Sequence, residues 1–291
     1  MRPLTGEALL AGAEAALAVL RRVRESLDAL NVFPVADHDT GTNMALTLEA
    51  AVAEARGVPA ELNDVSHALA RGAFRSARGS SGVLLAEFLR GLAEGFAGVT
   101  AAGAHVIRDA LRRAAHRARR AVAHPVEGTF LTVADAAAAG AEGATAPEAL
   151  RGATAAARVA LAHTPDQLEV LRTAGVVDAG AAGLVVFLQA LATAMEPGAE
   201  EPLPLAAPAT AAAPAAPQAV RPVYCTQVVV RAGHAAVSPA ALRHLGDAVI
   251  VAEQEGLVRI HLHTASPEVA VRELGALGAV EEFTVTRVRS A

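Results

Sequence analysis

Residues Asn31 to Met44 read NVFPVADHDTGTNM. Two carboxylates, Asp37 and Asp39, stand two apart. The turn-forming pair Thr40-Gly41 follows, then the polar pair Thr42-Asn43. Upstream, Leu27 to Val35 is apolar apart from Asp28 and Asn31. Like charges this close repel, and a cation between them relieves the repulsion. Oxygen ligands suit a hard cation such as Mg²⁺, which binds through a few carboxylates together with substrate phosphates. The plain alternative is a helix N-cap, with Asp39 or Thr40 opening a helix over 42–56.

Outward from this loop, the chain from Thr5 to Met195 is helical in pattern. Alanine and leucine dominate, and apolar residues recur at three- and four-residue spacing. The spacing predicts helices over 5–30, 42–56, 61–75, 81–96, 101–122, 130–142, 147–162, 165–174 and 180–195. Nothing there alternates with period two, so an all-α bundle is expected. Residues 197–222 hold seven of the fifteen prolines among alanines and read as a semi-extended linker. The pattern then changes. Val223 to Arg231, Ala248 to Glu253, Leu257 to Thr264 and Ala279 to Val288 read as strands. Ser238-Pro239 and Ser266-Pro267 open helices running to Leu245 and Leu277. The order β-α-β-β-α-β is that of a ferredoxin-like domain. The expected organisation is therefore multi-domain: 1–196 all-α, 197–222 linker and 223–291 α+β.

Composition narrows the chemistry. The 291 residues suffice for two substantial cores. A net charge of −5 gives no broad footprint for nucleic acid or anionic membrane. All 25 basic residues are arginine, which excludes a Walker-type loop and its lysine. One cysteine excludes an intramolecular disulfide, and without tryptophan base-stacking platforms are not expected. No signal peptide is visible, and the most apolar run, Ala179 to Met195, is too short to span a bilayer. A cytoplasmic protein is expected.

Three more polar loops precede helices in the bundle: Ala77-Arg78-Gly79-Ser80-Ser81-Gly82, His124 to Thr129, and Val177-Asp178-Ala179-Gly180. A Gly-Ser-rich helix start offers N–H groups and hydroxyls to an anion. Each loop alone reads equally well as an ordinary cap. In the sheet part, His261 and His263 are two apart on a strand, so both imidazoles face one side. Cys225 sits on the first strand, which neighbours the third in a ferredoxin-like sheet. Cys-His₂ suits Zn²⁺ with an open fourth position. The alternative is a buried free cysteine beside two half-buried strand histidines.

Taken together, NVFPVADHDTGTNM, ARGSSGVLL, PVEGTFLTVA and AGVVDAGAAGLV resemble the nucleotide-binding domain shared by dihydroxyacetone kinases and the catalytic subunit of bacterial fatty acid kinase. The fatty-acid-kinase branch is closer, and the resemblance continues into VYCTQ and VRIHLHT. It implies a closed barrel of about eight antiparallel helices that binds ATP with Mg²⁺. It implies that Asp37 and Asp39 are catalytic metal ligands, with Asn31 near the place of a third metal-binding Asp. Thr42 and Asn43 would face phosphate or metal, and Gly79, Ser80 and Ser81 would hold phosphates. Thr129 and Asp178 would line the nucleotide pocket. The family also has a zinc-binding Cys and H-x-H at the places of Cys225, His261 and His263. That zinc is expected to be structural, because the Mg·ATP site lies on another domain across a linker.

There are departures. His38 replaces the usual Gly between the aspartates, Ser80 replaces Asn, and Asp135 replaces Arg. If Asp135 faces the site, its charge weakens phosphate binding. The branch has a third, C-terminal domain associated with a lipid-carrying partner. That domain is expected to be absent, supplied as a detached chain or cut away. The expected function is Mg·ATP-dependent phosphorylation of a carboxylate, a fatty acid on a carrier protein, or less favourably of a small hydroxyketone. Pairing into a homodimer is a further expectation. The alternative is a catalytically weak nucleotide-binding regulatory or assembly protein.

Overall fold

A computed structural model describes residues 3–196, 223–232 and 237–288. The Ala/Pro-rich linker expected at 197–222 lies outside the described residues. The helical part opens with β1 (Leu4–Thr5) and α1 (Gly6–Ala29), followed by α2 (Thr40–Ala55), α3 (Leu62–Ser76) and α4 (Gly79–Gly95). Next come β2 (Ala101–Ala102), α5 (Ala104–Ala121), α6 (Phe130–Gly140), α7 (Ala146–Ala162), α8 (Thr164–Gln167), α9 (Glu169–Ala174) and α10 (Ala179–Met195).

The helices form as their spacing predicts. In α5 the buried side is Ala104, Ile107, Ala110, Leu111, Ala114, Ala115, Ala118 and Ala121, and its arginines occupy the other face. Small residues let neighbours close up. A Cβ on Gly91 of α4 would lie 2.4 Å from the Ala114 Cα of α5. Each long helix from α1 to α7 packs on the next, α7 packs on α10, and α10 returns to α1.

Two details depart from the sequence reading. Leu4-Thr5 and Ala101-Ala102 form a short antiparallel ladder, so α5 begins at Ala104 rather than at 101. Two residues are too few for an alternating pattern to show. The helix expected over 165–174 is broken at Leu168, whose backbone is extended. The Leu168 N–H closes one turn onto the Thr164 carbonyl, and its own carbonyl starts α9 by accepting from Leu171 and Arg172.

The C-terminal part runs β3 (Tyr224–Arg231), a 3₁₀ helix (Pro239–Leu245), β4 (Asp247–Gln254), β5 (Leu257–Thr264), α11 (Pro267–Gly275) and β6 (Ala279–Arg287). The first helix is 3₁₀ rather than α; it opens with Ala241 N–H bonded to the Ser238 carbonyl. All strand pairs are antiparallel, in the order β4-β5-β3-β6.

Alternation along these strands decides how the sheet sits. Val228, Val230, Val258, Ile260 and Leu262 share a core with Leu242, Leu245, Ala270 and Leu274. The opposite face carries Cys225, Gln227, Arg259, His261 and His263 and turns towards the helices. Ile250 and Ala252 join the helical core, and Ala123 joins the sheet core. The seam is stitched by a bridge between Val122 and Ile250, by the Ala123 N–H on the Val249 carbonyl, and by Arg243 on the Ala123 carbonyl. No helix among the described residues is long and apolar enough to cross a membrane.

Candidate active site

Helix α2 begins directly after Asp39, which occupies its N-cap position. Its carboxylate makes no capping bond. Asp28, at the end of α1, does that work instead: one oxygen accepts from the Thr42 N–H at 3.0 Å and the other from its hydroxyl at 2.7 Å. Asp39 is thereby free to face Asp37. The Asp37 carboxyl is pushed up to about 7, first by burial and then by the Asp39 charge. Asp39 is raised as well, chiefly by burial. Two amides hold the pair: Asn31 donates to Asp37, and Asn43 bonds Asp39. Both amides are buried.

Two cavities meet at this pair. The first, about 350 Å³, takes in Asn31, Asp37, Asp39, Ser80, Ser81, Thr129 and Asp178. Its remaining wall is largely apolar, with Phe33, Val35, Leu84, Val126, Phe130 and Leu131. Strand β4 closes one side with Asp247 to Ile250, where its pairing with β5 is irregular and Ala248 has φ 52°. Thr129 and Asp178 are true caps as well as lining residues. The Thr129 hydroxyl accepts from Leu131 N–H and donates to the Val126 carbonyl at 2.7 Å. Asp178 accepts from Ala181 N–H at 2.7 Å, and burial pushes its carboxyl up to about 6.

The second cavity, about 740 Å³, is polar. It takes in Asp37, Asp39, Asn43, Gly79, Arg75, Arg78, Cys225, Gln227 and Arg259.

The sheet contributes a second cluster. Cys225 and His263 are directly opposite across β3 and β5, and His261 lies one pleat away. The ligand atoms of the three lie within 4.8 Å of one another. The Sγ of Cys225 is 3.8 Å from the Nδ1 of His261. Both histidines are buried, and His261 Nε2 and both nitrogens of His263 have no partner. Burial lowers both imidazoles, so they are neutral and able to ligate. The Cys225 thiol is pushed up to about 12, by burial and then by Asp39 and Asp37. The expectation that the two sites lie apart across a linker does not hold. His263 lines the first cavity and Cys225 the second, each beside Asp37 and Asp39.

The other expected residues divide. Asn31, Asn43, Gly79, Ser80, Ser81, Thr129 and Asp178 all reach one cavity or the other. Thr42 lines neither, because its donors are given to Asp28. Asp135 stays out of both cavities and binds Arg119 together with Glu127. His38 is exposed, has φ 55°, and turns its ring to the Asp28 carbonyl at 3.1 Å. Its left-handed backbone is the physical reason glycine suits this position.

Sequence reasoning missed Asp28, Asp247, Gln227 and Arg259. Arg259 carried a signal, since it sits between Val258 and Ile260 on a strand whose same-face neighbours are His261 and His263. Gln227 carried none until the register placed it opposite His261.

The chain belongs to the DAK2 domain family, matched over residues 34–193. Residues 221–291 match the FakA-like middle domain of fatty acid kinase, and the protein is related to that kinase. The protein YloV of Bacillus subtilis is 32% identical over 283 residues, covering 90% of this chain and 50% of that protein. An uncharacterized protein of Staphylococcus saprophyticus is 31% identical, covering 83% of this chain and 47% of its own length. The chain thus spans about half the length of these relatives. The crystal structure of the dihydroxyacetone kinase of C. freundii is a more distant likeness. It has 17% identity and a TM-score of 0.45, and covers 66% of this chain and 35% of that one.

Proposed function

We propose that this kinase-like protein is a Mg·ATP-dependent phosphotransferase whose acceptor is a carboxylate, presented as a fatty acid by a carrier protein. Residues 1–196 are the nucleotide-binding domain, a closed barrel of eight long helices; the return of α10 to α1 supports this. Residues 197–222 are the linker, and 223–291 form a ferredoxin-like domain, supported by the strand order β4-β5-β3-β6. The protein acts in the cytoplasm.

One observation carries the reading. Asp39 stands at a helix N-cap, yet its carboxylate is withheld from capping and turned to Asp37 where two cavities meet. A pair arranged only for folding would cap the helix. Two half-buried carboxylates facing one another fit a divalent cation, which removes the repulsion that raises them. Asp37 and Asp39 would hold Mg²⁺, and Asn31 and Asn43 keep them oriented. The metal would supply neutralisation of phosphate charge. Ser80 and Ser81 present hydroxyls, and the start of α4 favours anions. Phe33, Leu84, Phe130 and Leu131 offer an apolar wall that keeps water from the base. Direct in-line transfer is favoured, since phosphoryl transfer asks chiefly for positioning and neutralisation of charge.

Cys225, His261 and His263 would hold Zn²⁺. One ring nitrogen of each histidine would ligate it, and buried nitrogens left without partners fit that role. The metal would supply the charge that makes the thiolate stable beside the aspartates.

Calorimetry tests the nucleotide reading. ATP should bind with Mg²⁺ present and not with excess chelator. Equal binding in both conditions would count against the metal role. ATP turnover with a carrier-presented fatty acid tests the acceptor, and no turnover with any acceptor would favour a regulatory or assembly role.

A further inference from the structure

The sheet does more than lie beside the helices. Arg259, at the centre of β5, is buried. Its nearest carboxylate, that of Glu282, is 3.9 Å away and exposed, so it is no close ion pair. Instead its guanidinium reaches the end of α3. Its Nε donates to the Phe74 carbonyl at 2.8 Å, one Nη to Arg75 at 2.7 Å and the other to Ala77 at 3.4 Å. The last carbonyls of a helix lack partners within it, and a cation there is favoured by the helix dipole. Ala77 leaves α3 with extended ψ of 130° and no glycine cap. Arg259 therefore supplies from 182 to 185 residues away what the local sequence does not.

Gln227 of β3 holds the next two residues. In the amide orientation that satisfies both partners, it donates to the Ala77 carbonyl and accepts from the Gly79 N–H, each at 3.2 Å. Gly79 has φ +60°, and Asn43 packs where its Cβ would be. Asn43 in turn bonds Asp39. A continuous set of contacts thus runs from β5 and β3, through the turn 77–79, to the aspartate pair and to Ser80 and Ser81.

We propose that Arg259 and Gln227 are positioning residues for the nucleotide site: the sheet holds the α3–α4 turn in the form that binds phosphate. This rests on the nucleotide reading above. Coupling of this kind is reciprocal. Fixing the turn favours nucleotide, and nucleotide favours the docked sheet.

The test uses the full chain, with hydrogen exchange and calorimetry on Mg·ATP. Arg259→Ala should speed exchange across 74–82 and weaken Mg·ATP at least about 10-fold, with Arg259→Lys recovering part through its single ammonium. Gln227→Ala should weaken it about 3-fold, one shared pair of neutral hydrogen bonds being lost. Leu274→Ala, in the sheet core away from the turn, should lower stability without changing affinity. In the unmutated chain, Mg·ATP should slow exchange in β3 and β5. That measurement and Gln227→Ala decide the matter if Arg259→Ala does not fold. Unchanged exchange at 74–82, or faster exchange with unchanged affinity, overturns the proposal. An unmutated chain that binds no Mg·ATP overturns the nucleotide reading, and the coupling with it.

Discussion

The aspartate pair of the helical half and the Cys-His-His cluster of the sheet are neighbours with opposite habits. Asp37 and Asp39 are served by their own surroundings: Asn31 and Asn43 bond them, and their repulsion is softened by a raised proton affinity. The sheet cluster is not served. Three ring nitrogens are buried without partners, and the thiol is protonated. A carboxylate can wait for its cation by taking a proton. A buried neutral imidazole with no partner has no such reserve and leaves a standing desolvation cost. On the proposed reading, the aspartate site would gain and lose its ion, and the sheet site would keep one.

The largest effect expected follows from that difference. Protein purified without chelator should carry about one zinc per chain. Removing it should cost about 4 kcal/mol of stability relative to zinc at a thousandfold excess over Kd. Cys225→Ser should abolish the zinc content, read by elemental analysis. A zinc-free chain of unchanged stability would break the comparison. The next effect is on binding. Asp37→Asn with Asp39→Asn should weaken Mg²⁺-dependent ATP binding at least about 100-fold, since the cation's ligands are lost. The metal-free fold should be kept, because the substitutions remove a repulsion. A double variant that unfolds would show that the pair is structural after all.

What the sequence made legible follows from local chemistry. Helix spacing, the caps at Thr129 and Asp178, and the strands of the sheet all depend on nearby residues, and they appear within a few positions of their expected places. The break that divides the helix expected over 165–174 into α8 and α9, and the two-residue ladder, were hidden because so few residues repeat no pattern. The site was readable as a set of loops but not as a place. Cys225, Gln227, Arg259, His261 and His263 alternate with apolar residues, as they would on a strand facing water. Only the tertiary packing turns that polar face inward against the helices. Thr42 was misplaced for a related reason: its partner Asp28 lies 14 positions back, on another helix.

Glu87 sharpens the comparison as a more deeply buried carboxylate, one with cations close by. Arg90 and Arg117 lie 3.7 and 3.6 Å from it, yet burial outweighs them and pushes it up to about 7. Its folded form holds a proton that the unfolded chain releases near its ordinary value of 4.5. The native state thus binds more protons between those values, and stability falls as pH rises through that window. Urea unfolding from pH 5 to pH 8 should show the fall. Glu87→Gln should make it shallower, the remainder belonging to Asp37 and Asp178, which are raised as well, and should raise stability at pH 8 by about 2 kcal/mol. An unchanged slope in that variant would assign the proton to another group, and the lesson that burial outweighs nearby charge would not apply here.

The smallest effect is expected where the two clusters meet, at Gly79. Its φ of +60° costs a side-chain-bearing residue about 1–2 kcal/mol. Part of that is offset, because alanine loses less freedom on folding than glycine. A Cβ there would also lie 2.3 Å from the Asn43 amide nitrogen, which must move. Asn43 can swing only by loosening its bond to Asp39, so the disturbance is passed to the aspartate pair rather than to the sheet. Gly79→Ala should therefore cost about 1 kcal/mol in stability and weaken Mg·ATP binding about 5-fold, the same energy seen twice. Zinc content should not change: Gly79 meets β3 only through Gln227, while Cys225, His261 and His263 are held by the pairing of β3 with β5. Calorimetry and metal analysis on the one variant separate the two sites. Loss of zinc together with nucleotide affinity would mean that the clusters share more than a wall, and that the sheet site is not the permanent partner the comparison makes it.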